Sequence, residues 1–340
     1  MSSIHENSIN AAISSIERMF GKGIVESMEV LEQKETPRPL SSGSVALDRA
    51  LGTGGFPRGR FVELYGPEAS GKTVLALHTI AECQKQGGRC AFIDVDHSLN
   101  FAFARKIGID ASKLMVVRPD YAEQALEVVE SLARSGGFAL IVLDSIGALV
   151  PKVEVEGDMG DTQVGSVSRL MAQACRKLAP ILASTGTTFL LINQLRVKVG
   201  VFYGNPEIAP GGKALKHFTS MRLDVRRIGA IKDDGGTVGQ LTRVKVVKNL
   251  LAPPFQQAEF SLYYNNGIDL VGEVLDIAIE AKLIPEESKG GWFRKKGSWY
   301  SYGGERIGQG RENAKKWLRE HPEIMEDLLQ QIRNLPFESE

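Results

Sequence analysis

Apolar positions along this chain follow two rhythms. Near-continuous apolar runs of strand length occur at residues 61–65, 90–94, 139–144 and 187–194. Between them lie segments with apolar residues three and four apart, the first through Val74, Leu75, Leu77 and Ile80. Runs without polar alternation suit strands covered on both faces, so the pattern predicts an α/β fold with a mainly parallel, twisted sheet. Residues 221–226, 241–249 and 257–264 read as further strands, the last two alternating. Ahead of the sheet, Ile9, Ile13, Ile16 and Phe20 recur at helical spacing, and Gly21 and Gly23 end the pattern. Residues 24–44 read as irregular. A short helix on such a segment cannot bury its stripe alone, so it must dock on its own core or on a neighbouring subunit. After residue 270 the pattern changes to a short helix, a hairpin with a Gly303-Gly304 turn, and two helices at 311–319 and 322–334. The expected organisation is an N-terminal helix and linker (1–36), a core (37–269), a small α+β C-terminal domain (270–334) and a short tail (335–340).

The first strand feeds Gly66-Pro67-Glu68-Ala69-Ser70-Gly71-Lys72-Thr73, which fits G-x-x-x-x-G-K-[ST], and a helical pattern leaves it. Strand, glycine loop and helix together make a phosphate site. Backbone N–H groups turn inward, the helix N-terminus adds partial positive charge, Lys72 reaches the β- and γ-phosphates, and the Thr73 hydroxyl can ligate Mg²⁺. The run 139–144 ends in Asp144 and is followed by Ser145. An apolar strand ending in aspartate downstream of such a loop supplies a second Mg²⁺ partner. Asp96, just beyond the 90–94 run, and Gln194, ending the 187–194 run, sit where open parallel sheets place their chemistry. The alternative for Asp96 is that it caps the next helix.

Composition narrows the class. The chain has 340 residues, 43% hydrophobic and 24% charged, with 41 basic and 41 acidic side chains balancing to zero. A nucleic-acid partner would need a local basic groove. No apolar run reaches the roughly 18 residues of a membrane span, and the first residues lack a signal pattern, so a cytoplasmic address is expected. Cys83, Cys90 and Cys175 form no C-x-x-C and read as buried thiols, and the five histidines show no zinc spacing.

Two segments, 155–165 and 195–213, resist assignment and are long enough to be functional loops. The second mixes Arg196, Lys198 and Lys213 with Phe202, Tyr203 and bare glycine amides, a combination suited to single-stranded nucleic acid. Arg169 and Arg176, seven apart on the helix between the loops, share a face. Arg294-Lys295-Lys296 beside Trp292 and Phe293 reads either as a duplex-DNA patch or as a surface insertion.

From about residue 7 to residue 334 the chain resembles the bacterial RecA recombinases. The resemblance rests on residues 66–73, Leu143-Asp144-Ser145, Ile192-Asn193-Gln194, residues 202–206, Gly211-Gly212, residues 225–229 and 243–249, and Trp299 through Gly310. It implies an ATP- and Mg²⁺-dependent filament of this chain on single-stranded DNA. It also implies pairing with homologous duplex DNA, strand exchange, and co-protease action on a LexA-type repressor in the SOS response. Matched by position, Asp96 is the catalytic base, Gln194 the γ-phosphate sensor and Lys248 a cation reaching across the subunit interface. Asn100 and Phe103 lie at the adenine. Gly165, Arg169, Arg176, Arg196, Val199, Gly211 and Gly212 contact DNA, with Lys213 beside them. Gly229 and Arg243 match positions tied to repressor cleavage, and the N-terminal helix matches an arm that docks on the next subunit. The hexameric helicases of the same core lack these loops and this C-terminal domain.

The chain departs from the family at Asp96, where the family has glutamate, and at Leu250, where it has a second lysine. Strand alternation implies that Lys248 and Leu250 share a face and that Lys245 points away. The expectation is retained ATP and DNA binding with slower turnover. The alternative function is a persistent ATP-bound filament acting as a scaffold. His217 replaces a phenylalanine at a filament-interface position, where it is expected to pack as a neutral imidazole, the alternative being a pH-sensitive assembly contact. The family's acidic tail is reduced to residues 337–340.

Overall fold

The computed structural model describes residues 2–33, 37–158, 165–197, 207–287 and 299–335. The chain forms two compact units, Met1–Arg38 and Pro39–Glu340. The first holds α1 (Ser2–Phe20) and α2 (Met28–Gln33). The second helix corrects the reading of 24–44 as irregular. Ser27 Oγ accepts the Val30 N–H at 3.3 Å, and Glu29 stands in the first turn, where the helix dipole favours an acid. Ile9, Met19, Phe20 and Met28 stay exposed.

In chain order the second unit contains α3 (Val45–Ala50), β1 (Phe61–Gly66), α4 (Lys72–Lys85), β2 (Cys90–Asp94), α5 (Phe101–Lys106), β3 (Leu114–Val117), α6 (Ala122–Arg134), β4 (Leu140–Asp144), α7 (Lys152–Val155), α8 (Ser166–Thr185) and β5 (Thr188–Gln194). Then follow β6 (Arg196–Val197), β7 (Glu207–Ile208), α9 (Gly212–Phe218), β8 (Thr219–Asp233), β9 (Gly236–Asn249), β10 (Gln257–Tyr263) and β11 (Gly267–Ile268). The last elements are α10 (Leu270–Glu280), β12 (Glu286–Glu287), β13 (Trp299–Tyr302), β14 (Glu305–Gln309), α11 (Arg311–Glu320) and α12 (Pro322–Asn334).

Nine strands form one sheet in the order β11-β10-β9-β8-β1-β5-β4-β2-β3, parallel from β8 to β3 and antiparallel from β8 to β11. Adjacent residues of each central strand enter different cores. Val62, Phe92, Val142 and Leu190 pack with Leu75 and Ile80 of α4. Phe61, Ile93, Leu143 and Leu191 pack with Val129 of α6 and Leu178 of α8. That two-sided burial is why the runs lack polar residues. All three cysteines are buried and free. The edge strand β3 has only four residues with Met115 exposed, too weak a pattern to read in advance. Among the described residues no helix is long and apolar enough to cross a membrane.

The elements after β11 build a third apolar cluster from Leu275, Ile307, Leu318 and Leu328, reached by Val45 of α3. Polar ties fix this lobe to the core. Lys315, almost fully buried, pairs with Asp269 at 2.7 Å. Glu273 on α10 accepts the Ser44 hydroxyl at 2.9 Å and the Ala46 N–H at 3.1 Å, at the N-terminus of α3. Burial pushes the Glu273 carboxyl up from 4.5 to about 8. A carboxyl raised on folding gives its full stability contribution below its unfolded pKa and loses it as pH rises toward the folded value. Wild type is therefore expected to lose about 4 kcal/mol more than Glu273→Gln between pH 5 and pH 9. Urea unfolding of both proteins at the two pH values measures this, and parallel losses would contradict it.

Candidate functional site

The phosphate loop is shaped where the backbone leaves no room for side chains. A Cβ on Gly66 would lie 2.1 Å from the Val225 carbonyl oxygen. Gly71 caps α4 at φ +100°, a conformation that glycine adopts readily. Lys72 folds back into the loop, its ammonium donating to Gly66 O at 3.1 Å, Pro67 O at 2.6 Å and Ser70 Oγ at 3.4 Å. Burial lowers its pKa, while the charges of Asp144 and Glu68 oppose the fall. Thr73 Oγ1 donates to Asp144 Oδ2 at 2.6 Å, and burial raises the Asp144 carboxyl to about 6. The Asp144–Ser145 peptide is cis.

Residues 68–73 and Asp144 line a cleft of about 500 Å³ with Asp96 and Gln194. The cleft thus gathers the loop, Asp144, Asp96 and Gln194 from four strand ends. Gly66, Pro67, Asn100, Phe103, Ser145 and Lys248 do not line it. Arg227, Gln240, Leu262 and Tyr264 do, and sequence reasoning missed them. They come from β8, β9 and β10 and the residue after it, and no local motif marks them, because only the sheet order brings these strands beside Gly71.

Asp96 is exposed on the turn after β2, and its Oδ2 accepts the Ser145 hydroxyl at 3.3 Å. Partial desolvation at the cleft raises its pKa, the Ser145 bond opposes the rise, and the charge of Asp94 adds to it. Asn100 Oδ1 accepts the Phe103 N–H at 3.0 Å and caps α5, and Phe103 packs half-buried on the core. Lys248 Nζ donates to Lys216 O at 2.9 Å and His217 O at 3.0 Å, the carbonyl end of α9. The expectation that Lys245 points away from Lys248 is corrected. A bulge shifts the β8–β9 register so that Arg222 opposes Lys248, whereas Asp224 opposes Lys245. Arg222 and Asp224 share a face, so both lysines do too. Leu250, bonded through its N–H to Ser220 O, is exposed. His217 is exposed in the single chain, its ring edge-on to Phe218 at 5.5 Å.

A second cleft has a volume of about 360 Å³. Gly165, Arg196 and Gly211 line it, and Arg196 donates to Gly147 O at 2.8 Å. Arg169 and Arg176 are exposed on α8, and Lys213 is exposed on α9. A Cβ on Gly212 would come within 3.1 Å of Ser168 Cβ, so α9 approaches α8 closely there. The segment 195–213 is more regular at its ends than expected. Arg196–Val197 pairs antiparallel with Glu207–Ile208, and α9 begins at Gly212. Below it, Asn193 donates to Glu63 Oε1 at 2.9 Å and to Pro210 O at 2.8 Å, with Arg222 on the other Glu63 oxygen at 2.5 Å. Lys198, Val199, Phe202 and Tyr203, most of the first loop, residues 292–296 and the tail lie outside the described residues. Gly229 lies on β8, and Arg243 on β9 pairs with Glu259 at 2.7 Å.

Comparison with known proteins agrees with this geometry. The RecA N-terminal domain matches residues 7–269 and the RecA C-terminal domain residues 272–335. Protein RecA of Syntrophus aciditrophicus is 50% identical over 326 residues, covering 96% of this chain and 92% of that protein. Protein RecA of Gluconobacter oxydans is 51% identical over 325 residues, covering 96% and 91%, and that of Rhodospirillum centenum is 50% identical over 328, covering 96% and 89%. With both domains matched in order and half of nearly all positions identical, the chain belongs to the RecA family and is an ATP-binding, DNA-dependent ATPase with RecA recombinase function.

Proposed function

We propose that this chain assembles as a filament on single-stranded DNA, with the cleft at residues 66–73 holding ATP. Lys72 swings from its loop carbonyls to the β- and γ-phosphates. Thr73 and Asp144, a hydroxyl and a carboxylate 2.6 Å apart, are hard oxygen donors that suit Mg²⁺. Among the described residues no cluster of three or more acidic, His or Cys ligands exists, and Mg²⁺ at a nucleotide needs only one or two protein ligands. Bound there, the metal neutralises phosphate charge. Ser145 stands on the metal side, and Asn100 and Phe103 stand toward adenine. Asp96 takes the proton of the attacking water, Gln194 reports on the γ-phosphate, and Lys248 acts from the neighbouring subunit. Gly165, Arg169, Arg176, Arg196, Val199, Gly211, Gly212 and Lys213 face single-stranded DNA, residues 1–36 dock on the next subunit, and residues 270–334 form a C-terminal domain.

The observation that carries this reading is that two residues close in the chain line two clefts. Gln194 lines the first, Arg196 lines the second, and a single residue separates them. In this reading a DNA contact at Arg196 is passed along the backbone to Gln194 in the nucleotide cleft. Single-stranded DNA is expected to stimulate ATP hydrolysis about tenfold or more. Arg196→Ala should lose that stimulation while binding ATP as before. Stimulation equal in both proteins would contradict the coupling.

A second reading is a persistent ATP-bound filament used as a scaffold, including toward a LexA-type repressor. The short Asp96 side chain and the exposed Leu250 favour it. Repressor cleavage with strand exchange abolished is its signature.

A further inference from the structure

Asp96 sits on a turn whose shape depends on two neighbours. Asp94, the last residue of β2, is fully buried. Its Oδ1 accepts the Ser98 N–H at 2.9 Å, closing the turn over residues 95–97. His97 within it has φ +54°, a conformation a non-glycine residue holds only when its surroundings enforce it. The near end is tied by the Val95 N–H, which donates to Asp144 O at 2.8 Å. The second Asp94 oxygen takes Arg118 Nε at 3.3 Å. Register explains the meeting. Ile93 pairs with Val117 across β2 and β3, so the next residues, Asp94 and Arg118, emerge side by side. The Arg118 guanidinium then lies over the Phe101 ring, 5.5 Å from its centroid.

A buried carboxylate left without its cation is a large cost, and a backbone turn is the easiest part to yield. We infer that Arg118, braced on Phe101, is a positioning residue for hydrolysis: it holds Asp94 in place, and Asp94 holds the turn that aims Asp96 into the nucleotide cleft. The Phe101 ring flanks the guanidinium while its Nε meets Asp94. A lysine there keeps the charge that Asp94 needs. The inference rests on Asp96 being the base, and it adds the group that fixes the reach of that base.

The test uses the full chain with single-stranded DNA and ATP. Arg118→Ala is expected to lower kcat about tenfold with KM for ATP within about twofold, because the phosphate loop is untouched. Arg118→Lys should recover most of the loss. In an Asp96→Asn background, Arg118→Ala should change kcat by less than about twofold, since two residues acting through one step do not add. Amide exchange at Ser98 should quicken in Arg118→Ala in both backgrounds. Equal losses with and without Asp96, or unchanged kcat together with unchanged Ser98 exchange, would overturn the inference and leave the base assignment standing. Full turnover by Asp96→Asn alone would overturn the base assignment and the positioning role together. Quickened Ser98 exchange in Arg118→Ala would then show that only the hold on the turn remains.

Discussion

Lys72→Met is expected to lower ATP hydrolysis by about 10³-fold without weakening the fold. Two physical effects separate here. In the free chain the Lys72 ammonium is buried against Gly66 O and Pro67 O, and desolvation already disfavours its charge. Replacing a buried charge by an apolar side chain of similar length is often neutral or stabilising. At the nucleotide the same ammonium stabilises charge that grows on the phosphate oxygens, which methionine cannot do. Thermal unfolding without nucleotide should therefore show Tm unchanged or raised. The stabilisation that ATP gives wild type should shrink or vanish. A variant that retains more than about a tenth of wild-type turnover would remove Lys72 from the role proposed for it.

Asp96→Glu is expected to raise DNA-stimulated kcat about 10- to 100-fold, with KM for ATP within about twofold. The carboxylate of Asp96 faces the cleft that Gln194 and Asp144 line, and it accepts the Ser145 hydroxyl at 3.3 Å. Glutamate adds one C–C bond, about 1.5 Å of reach. A base must lie within hydrogen-bond distance of its water, and a misplacement of about 1 Å costs on the order of 100-fold. Steady-state hydrolysis of both proteins under identical salt and DNA decides it. Filaments of the variant should also fall apart sooner after ATP is exhausted, because hydrolysis ends the bound state. Equal turnover would mean that the aspartate already reaches its water, and the scaffold reading would lose its main support.

The local chemistry was legible because each part lies in one short stretch. Residues 61–73 spell strand, loop and helix, and Asp144 ends a strand whose burial on both faces forbids polar residues before it. The strands at 90–94, 140–144 and 188–194 show for the same reason. The edge strand β3 did not, since one covered face leaves little pattern in four residues. The helix α2 failed to register because six residues give less than two turns of periodicity.

By itself the sequence determined the class of the protein, its phosphate loop, the strand ends that carry Asp96, Asp144 and Gln194, and the resemblance that named its reaction. Tertiary structure decided what stands beside what. Strand order placed Gln240 and Leu262 behind Gly71. A one-residue bulge turned Lys245 to the face of Lys248, against simple alternation. Parallel register set Arg118 against Asp94, 24 residues apart in the chain. The physical reason is common to all three. Periodicity along a strand reports only which face is buried, whereas partner, register and bulge are settled by hydrogen bonds to other strands, which leave no trace in the local spacing of residues.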